Sequence, residues 1–266
     1  MSNVGVVVPA YRPDTARITS YLAALDEACS PAVLRVELDA PRSETLDALR
    51  ACSVPVEVST SADRRGKGAA ITAGFESLAS RADVDVIAFA DADGSTPAES
   101  LADVVQPVVD GRADLAVGSR RHPDADVVSH QTLARRRLGD GFAWLARRFL
   151  DVSLYDYQCG AKALSVAAWA AVREHLYEPG FAWDIELVSV AGALDCRVAE
   201  VPVTWEDHPK STVSTVDTTL RLGWALVRSR HRARSLRQDR LHALLERSRD
   251  SGPSLVERLG ADAVDD

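Results

Sequence analysis

Lysine is almost missing from this 266-residue sequence: of 31 basic residues only Lys67, Lys162 and Lys210 are lysine, and the rest are arginine. Cysteine is scarce too. Cys29, Cys52, Cys159 and Cys196 form no Cys-x-x-Cys pair, which excludes a zinc knuckle or a dithiol redox motif and leaves buried free thiols as the expectation. No run of 18 apolar residues occurs, so no membrane-spanning helix is expected. No basic stretch precedes the first apolar run, so no signal peptide is expected. The chain is expected to work in the cytoplasm, peripherally on the cytoplasmic face of a membrane. Net positive charge is absent as well: the balance is −8, against the basic domains that nucleic-acid binding favours, so no nucleic-acid partner is expected.

What remains is a globular composition, 46% hydrophobic and 26% charged. Short apolar runs at residues 4–8, 33–38, 54–58, 84–90 and 113–117 have the length of buried strands. Helical spacing over 15–28, 43–51 and 68–78 falls between them. This alternation predicts an α/β fold with a mostly parallel sheet flanked by helices, whose ligands bind beyond the carboxyl ends of the strands. Thr96-Pro97-Ala98-Glu99 predicts a capping box with Thr96 at the cap and Pro97 as first helical residue. Residues 133–150 and a stretch from 216 to about 249 are amphipathic, helical and arginine-rich. Residues 183–193 read as a helix, and 197–205 as a half-buried strand. The expected division is a catalytic domain over 1–212, an amphipathic arginine-rich helical extension over 213–249, and an acidic, frayed tail over 250–266.

Several residues carry candidate chemistry. Asp91-Ala92-Asp93 follows the most apolar strand, where two carboxylates one residue apart suit a hard divalent cation that bridges a diphosphate. The plainer alternative is a solvated turn leading into a helix. Arg64-Arg65-Gly66-Lys67-Gly68 opens a helix, where glycines admit a phosphate close to the backbone, or it is a basic surface turn. Tyr11 and Asp39 end the first two strands and suit either a nucleoside or simple turn roles.

In order along the chain stand Val6-Val7-Val8-Pro9-Ala10-Tyr11, Arg65-Gly66-Lys67-Gly68-Ala69-Ala70, Ala90-Asp91-Ala92-Asp93-Gly94-Ser95-Thr96 and Gly118-Ser119-Arg120. This order resembles the family 2 glycosyltransferases, which have the GT-A fold. Asp156-Tyr157-Gln158-Cys159-Gly160-Ala161-Lys162, Phe181-Ala182-Trp183-Asp184-Ile185-Glu186-Leu187, and Val201-Pro202-Val203-Thr204-Trp205 before Lys210-Ser211 resemble segments of dolichyl-phosphate glucosyltransferases in particular. Dolichol-phosphate mannosyltransferases are the neighbouring type.

The resemblance implies roles residue by residue. Pro9, Tyr11 and Asp39 would line the nucleoside pocket, with Lys67 beside the nucleotide. Asp91, Ala92 and Asp93 would hold the nucleotide sugar, and Asp91 and Asp93 its Mg²⁺ or Mn²⁺. Arg120 and Lys210 would cradle an acceptor phosphate. Asp156, Asp184 and Glu186 would border sugar and acceptor, with Asp184, Asp156 and Arg120 the catalytic candidates. The implied reaction is inverting transfer of a hexose, glucose from UDP-glucose before mannose from GDP-mannose, to a dolichyl or polyprenyl phosphate. The alternatives are a family 2 enzyme with a hydroxyl acceptor and a non-catalytic sugar-nucleotide-binding protein. Two departures stand out: Asp39-Ala40-Pro41 replaces the family's Asp-Asp-Gly-Ser, and Lys210 precedes its serine rather than following it.

Overall fold

The five residues of Val86–Ala90 are apolar without interruption, so this strand must be covered on both faces, and every one of them is buried. It is the centre of the sheet. The computed structural model describes residues 3–128, 133–206, 215–237 and 252–262. Its strands are β1 (Val4–Tyr11), β2 (Val33–Asp39), β3 (Glu57–Ser61), β4 (Val86–Ala90), β5 (Leu115–Ser119), β6 (Asp126–Val127), β7 (Ala161–Ser165), β8 (Val198–Pro202) and β9 (Thr204–Trp205). Seven form one sheet in the order β3-β2-β1-β4-β7-β5-β8, and β6 pairs with β9 apart from it. All neighbours in the large sheet run parallel except β7, which is antiparallel to both β4 and β5.

Helices cover both faces. They are α1 (Thr15–Cys29), α2 (Ser43–Arg50), α3 (Lys67–Ala79), α4 (Ala98–Val109), α5 (Leu133–Phe149), α6 (Val166–Val172), α7 (Trp183–Ala193), α8 (Thr215–Leu236) and α9 (Leu255–Asp262). Alternation along β1 divides the core: Val6 and Val8 face α1 and α4, while Val7 joins a second core with α3, α6 and α7. That second core holds an aromatic knot. Phe75 meets Trp169 edge-on at 5.2 Å, and Trp183 meets Phe89 at 5.7 Å. The Trp183 indole N–H donates to Thr72 Oγ1 at 3.1 Å.

Four details differ from the sequence reading. β3 begins at Glu57 rather than 54, because Pro55 has no N–H to give a ladder. β7 has no counterpart among the strands expected from the sequence, its five residues too few to announce a period. Pro97, not Thr96, caps α4, and no side chain completes a capping box there; the Thr96 hydroxyl instead faces Cys159 Sγ at 4.0 Å. The tail is not frayed over 252–262. Ser254 and Glu257 form a reciprocal capping box, with Ser254 N–H donating to Glu257 at 2.7 Å and Glu257 N–H to Ser254 Oγ at 3.4 Å. Leu255 is buried in the second core. The Ser-x-x-Glu spacing that builds this helix was present in the sequence.

Phe75 lies at the middle of the knot and is fully buried. Phe75→Ala is expected to cost about 3–5 kcal/mol in urea unfolding, as large aromatic deletions in a packed core do. A loss under about 1 kcal/mol would show that the knot is not packed as described.

Candidate functional site

The carboxyl ends of β1, β2, β4 and β5 meet along one edge of the sheet, and three groups of charged side chains gather there. The first is built on β4, β7, α3 and α7. Lys67, the first residue of α3, reaches Asp91 at 2.9 Å and Asp184 at 2.9 Å. The other Asp184 oxygen binds Lys162 of β7 at 2.5 Å, and Lys162 also donates to the Cys159 carbonyl at 2.9 Å. Both ammonium groups lie over the Phe89 ring, at 5.1 and 5.6 Å. Lys162 is fully buried and Asp184 only 2% exposed. Trp183, wedged in the aromatic knot, fixes where Asp184 stands.

Burial penalises Asp184, but Lys162 and Lys67 outweigh it and hold its carboxyl below the usual range. Burial likewise opposes the charge of Lys67, and Asp184 and Asp91 overcome it and hold the ammonium above the ordinary lysine range. Asp91 goes the other way: burial raises it against the pull of Lys67, and the neighbouring Asp93 adds repulsion. Asp93 is exposed and spends one oxygen on the Ser95 N–H at 2.9 Å. Two carboxylates that repel each other at a strand end, one of them carrying an outward oxygen, fit a divalent cation completed by ligand oxygens. No cluster of three or more metal-ligating side chains exists among the described residues. Gly160 allows this turn to close. Its carbonyl accepts the Asp91 N–H at 2.9 Å, and a Cβ there would fall 2.1 Å from the Asp91 carboxylate.

The second group joins β5 to the segment before β7. Arg120 grips Asp156 with Nε at 2.7 Å and Nη2 at 3.1 Å, and Trp205 lies under its guanidinium at 5.8 Å. Burial disfavours the Asp156 charge, but the Arg120 guanidinium overrides it and holds the carboxyl far below the usual range. Asp91 is near enough to add to the raised pKa of Arg120, so the two groups share one field. Cys159, between them, is pushed up to about 11 chiefly by burial and stays a thiol.

The third group lies at the ends of β1 and β2, where Tyr11 and Asp39 are register partners. Asp39 does not face an open pocket. Arg65 Nε donates to it at 2.8 Å, the Gly66 N–H at 3.1 Å, and Arg65 also binds the buried Glu37 at 3.0 Å. Tyr11 is 41% exposed, with the Arg64 guanidinium over its ring at 4.3 Å. Pro9 is buried within β1, and Ala92 is half-buried between the two aspartates.

Other expected residues fall elsewhere. Glu186 is fully buried and borders no ligand space; it faces α8 and the backbone of residues 177–178. Lys210 lies outside the described residues. Several arginines of α8, and Arg237 just past its end, are engaged by the protein itself: Arg228 pairs with Glu178, Arg230 with the Phe149 carbonyl, Arg232 with Glu186, and Arg237 with the Gly192 carbonyl. Trp144 of α5 and Trp224 of α8 stand out at 63% and 70% exposed. Sequence reading missed the roles of Lys162 and Arg65. Lys162 carried a signal, because a lysine flanked by apolar residues in so lysine-poor a chain needs a buried partner.

Comparison with known proteins agrees with this layout. A family model described as glycosyl transferase family 2 matches residues 38–166. Glycosyltransferase AglD of Haloferax volcanii is 33% identical over 236 residues, 85% of this chain and 36% of the relative. The dolichyl-phosphate beta-glucosyltransferase of Mus musculus is 33% identical over 175 residues, 63% of this chain and 52% of the relative. The chain thus spans between about a third and a half of the length of these relatives. Among solved structures, glucosyl-3-phosphoglycerate synthase from Mycobacterium tuberculosis, in complex with Mn²⁺, UDP and phosphoglyceric acid, has a TM-score of 0.62 at 17% identity. The match covers 86% of this chain and 78% of that one. The mostly parallel α/β sheet of GT-A type expected from the sequence is therefore present.

The Arg120–Asp156 pair makes a titration prediction. The folded carboxyl lies below its unfolded value, so its stabilisation is complete above about pH 4, the unfolded pKa, and is lost as pH falls through the folded value. Asp156→Asn is expected to lower stability at pH 7 and to make the acid limb of a stability–pH profile less steep. An acid limb of unchanged slope counts against the pairing.

Proposed function

The chain belongs to glycosyl transferase family 2, and from that premise we propose that it moves a hexose from a nucleotide sugar to a polyprenyl or dolichyl phosphate. Glucose from UDP-glucose is the favoured donor, because most of the similar curated proteins carry the name dolichyl-phosphate beta-glucosyltransferase; GDP-mannose is second. Asp91 and Asp93 would hold Mg²⁺ or Mn²⁺ beside the diphosphate, where the ion supplies Lewis-acid stabilisation of the leaving nucleotide. Lys67 lies against Asp91 and adds positive charge where phosphate oxygens would arrive. Tyr11 and the turn built by Asp39 and Arg65 would border the nucleoside.

One observation carries the choice of acceptor: both oxygens of Asp184 are taken by lysine ammonium groups. A carboxylate so held, with its pKa lowered, is a poor proton acceptor, so this site is ill-equipped to activate a hydroxyl. A phosphate monoester, largely dianionic at neutral pH, needs no base and is served by cations. Arg120 supplies one. Its Nε–Nη2 edge is fixed by Asp156, which orients Nη1 away from that pair. Asp184 and Asp156 therefore position cations, and in-line attack by a phosphate oxygen at the anomeric carbon would invert its configuration.

A lipid acceptor requires contact with a membrane surface. No helix among the described residues is long and apolar enough to cross one. Exposed Trp144 and Trp224 suit peripheral contact on the cytoplasmic face.

The transfer assay supplies nucleotide sugars, Mn²⁺ and a polyprenyl phosphate, and follows labelled sugar into the organic phase. Product there is expected from UDP-glucose; product only in the aqueous phase, on a hydroxyl acceptor, would overturn the acceptor assignment. Asp93→Ala is expected to lower kcat/KM at least about a hundredfold, a loss of roughly 3 kcal/mol in transition-state stabilisation. Retained turnover would remove the metal assignment. In liposome flotation, the paired change Trp144→Ser and Trp224→Ser is expected to deplete the lipid-bound fraction, and equal flotation would show that contact lies elsewhere.

A further inference from the structure

Glu186 is a fully buried carboxylate that the proposed reaction does not use. Its Oε2 accepts two backbone N–H groups, from Tyr177 and Glu178, each at 2.8 Å. Its Oε1 meets the guanidinium of Arg232 on α8. That guanidinium also covers the Tyr177 ring at 4.4 Å, and Arg228, one turn earlier on α8, reaches Glu178 at 3.3 Å. Residues 177 and 178 are thus gripped by one acid from α7 and two arginines from α8.

The residues that follow press on the start of α3. The Pro179 carbonyl accepts the Ala69 N–H at 3.0 Å. A Cβ at Gly66 would sit 2.6 Å from the Pro179 oxygen, and one at Gly68 2.5 Å from the Glu178 oxygen. Gly66 holds φ +101°, which a side chain would also resist. Backbone lies on backbone there without slack. Lys67, between the two glycines, is the residue that reaches Asp91 and Asp184.

We propose that Glu186 is a positioning residue: with Arg232 it clamps residues 177–180 onto the Gly66–Gly68 turn, so that the place of Lys67 depends on the docking of α8. The chemistry explains the residue type. An apolar side chain at 186 would leave two backbone N–H groups and a guanidinium without their acceptor, each a costly loss when buried. It also explains why two acids two residues apart on α7 act differently. They lie about 200° apart around the helix, so Asp184 turns to the lysines while Glu186 turns to α8. What the Lys67 turn binds rests on the proposed function; the clamp itself does not.

Hydrogen exchange of the whole chain, without substrate, tests the clamp. Glu186→Gln and Arg232→Met are both expected to speed exchange at the Ala69 amide, and Arg232→Lys to restore part of the protection. Arg237→Met is the control. It loosens α8 from the end of α7 without touching 177–180, and is expected to lower the melting temperature while leaving Ala69 protected. Unchanged exchange at Ala69 in Glu186→Gln overturns the proposal, as does equal acceleration in Arg237→Met. Calorimetry with UDP and GDP in Mn²⁺ gives the functional consequence: Glu186→Gln weakens nucleotide binding on the order of tenfold, the low end for a displaced contact of this kind. Wild-type affinity retained in that variant overturns the link to Lys67. If the unmodified chain binds neither nucleotide, the proposed function fails, and the exchange result still decides the clamp.

Discussion

Two lysines share one buried carboxylate, and the edge of the sheet is organised around that sharing. Asp184 stands between Lys67 and Lys162 where little solvent reaches, and the half-buried Asp91 closes the set of two positive and two negative charges. Buried charge is tolerable only when its partners stay put. The surroundings fulfil that condition from three directions. Trp183 locks the start of α7 into the aromatic knot, β7 carries Lys162 in the middle of the sheet, and residues 178–180 press the turn that bears Lys67. Strand order, helix packing and the 177–180 segment thus converge on the same four side chains.

The scarcity of lysine acquires a physical sense in this setting. Lys67 and Lys162, the two lysines within the described residues, both point at Asp184. An ammonium is a compact charge on a flexible stem, and two of them fit around one carboxylate and over one phenyl ring. A pair of guanidinium forks would not. Arginine takes the opposite duties. On α8 and just past its end it stretches to backbone carbonyls and to acids elsewhere in the chain, and so converts a helix that composition marks as a surface feature into one bound to the body of the protein.

Much of this was legible in the chain. Strands β1, β2 and β4 are apolar runs ended by chemistry-bearing residues, and the Asp91–Asp93 turn lies where such sheets bind ligands. Helix α9 was written as Ser254-x-x-Glu257, though its acidic surroundings obscured it. Other features exist only in three dimensions. Nothing local to Asp39 announces that Arg65 and Gly66 will saturate it. Nothing in the spacing of Asp184 and Glu186 tells which one faces charge and which faces α8, because that depends on the rotation of α7 against neighbours far away in sequence. β7 escaped for a related reason: a five-residue strand of mostly small side chains is recognisable only by the two strands it fits between.

That strand has a consequence for how the protein comes into being. During synthesis β4 and β5 emerge well before Ala161, yet they are not neighbours in the finished sheet, because β7 must enter between them in the opposite direction. Until it does, each of the two presents an open hydrogen-bonding edge, the kind of surface that pairs with other chains. β7 arrives with Gly160 before it and Lys162 within it, so the strand that fills the gap between β4 and β5 also brings one lysine of the charged site, and Asp184 of α7 follows it in the chain. The site cannot be complete while that gap stands open, because Lys162 is at once a ladder residue of the sheet and a partner of Asp184.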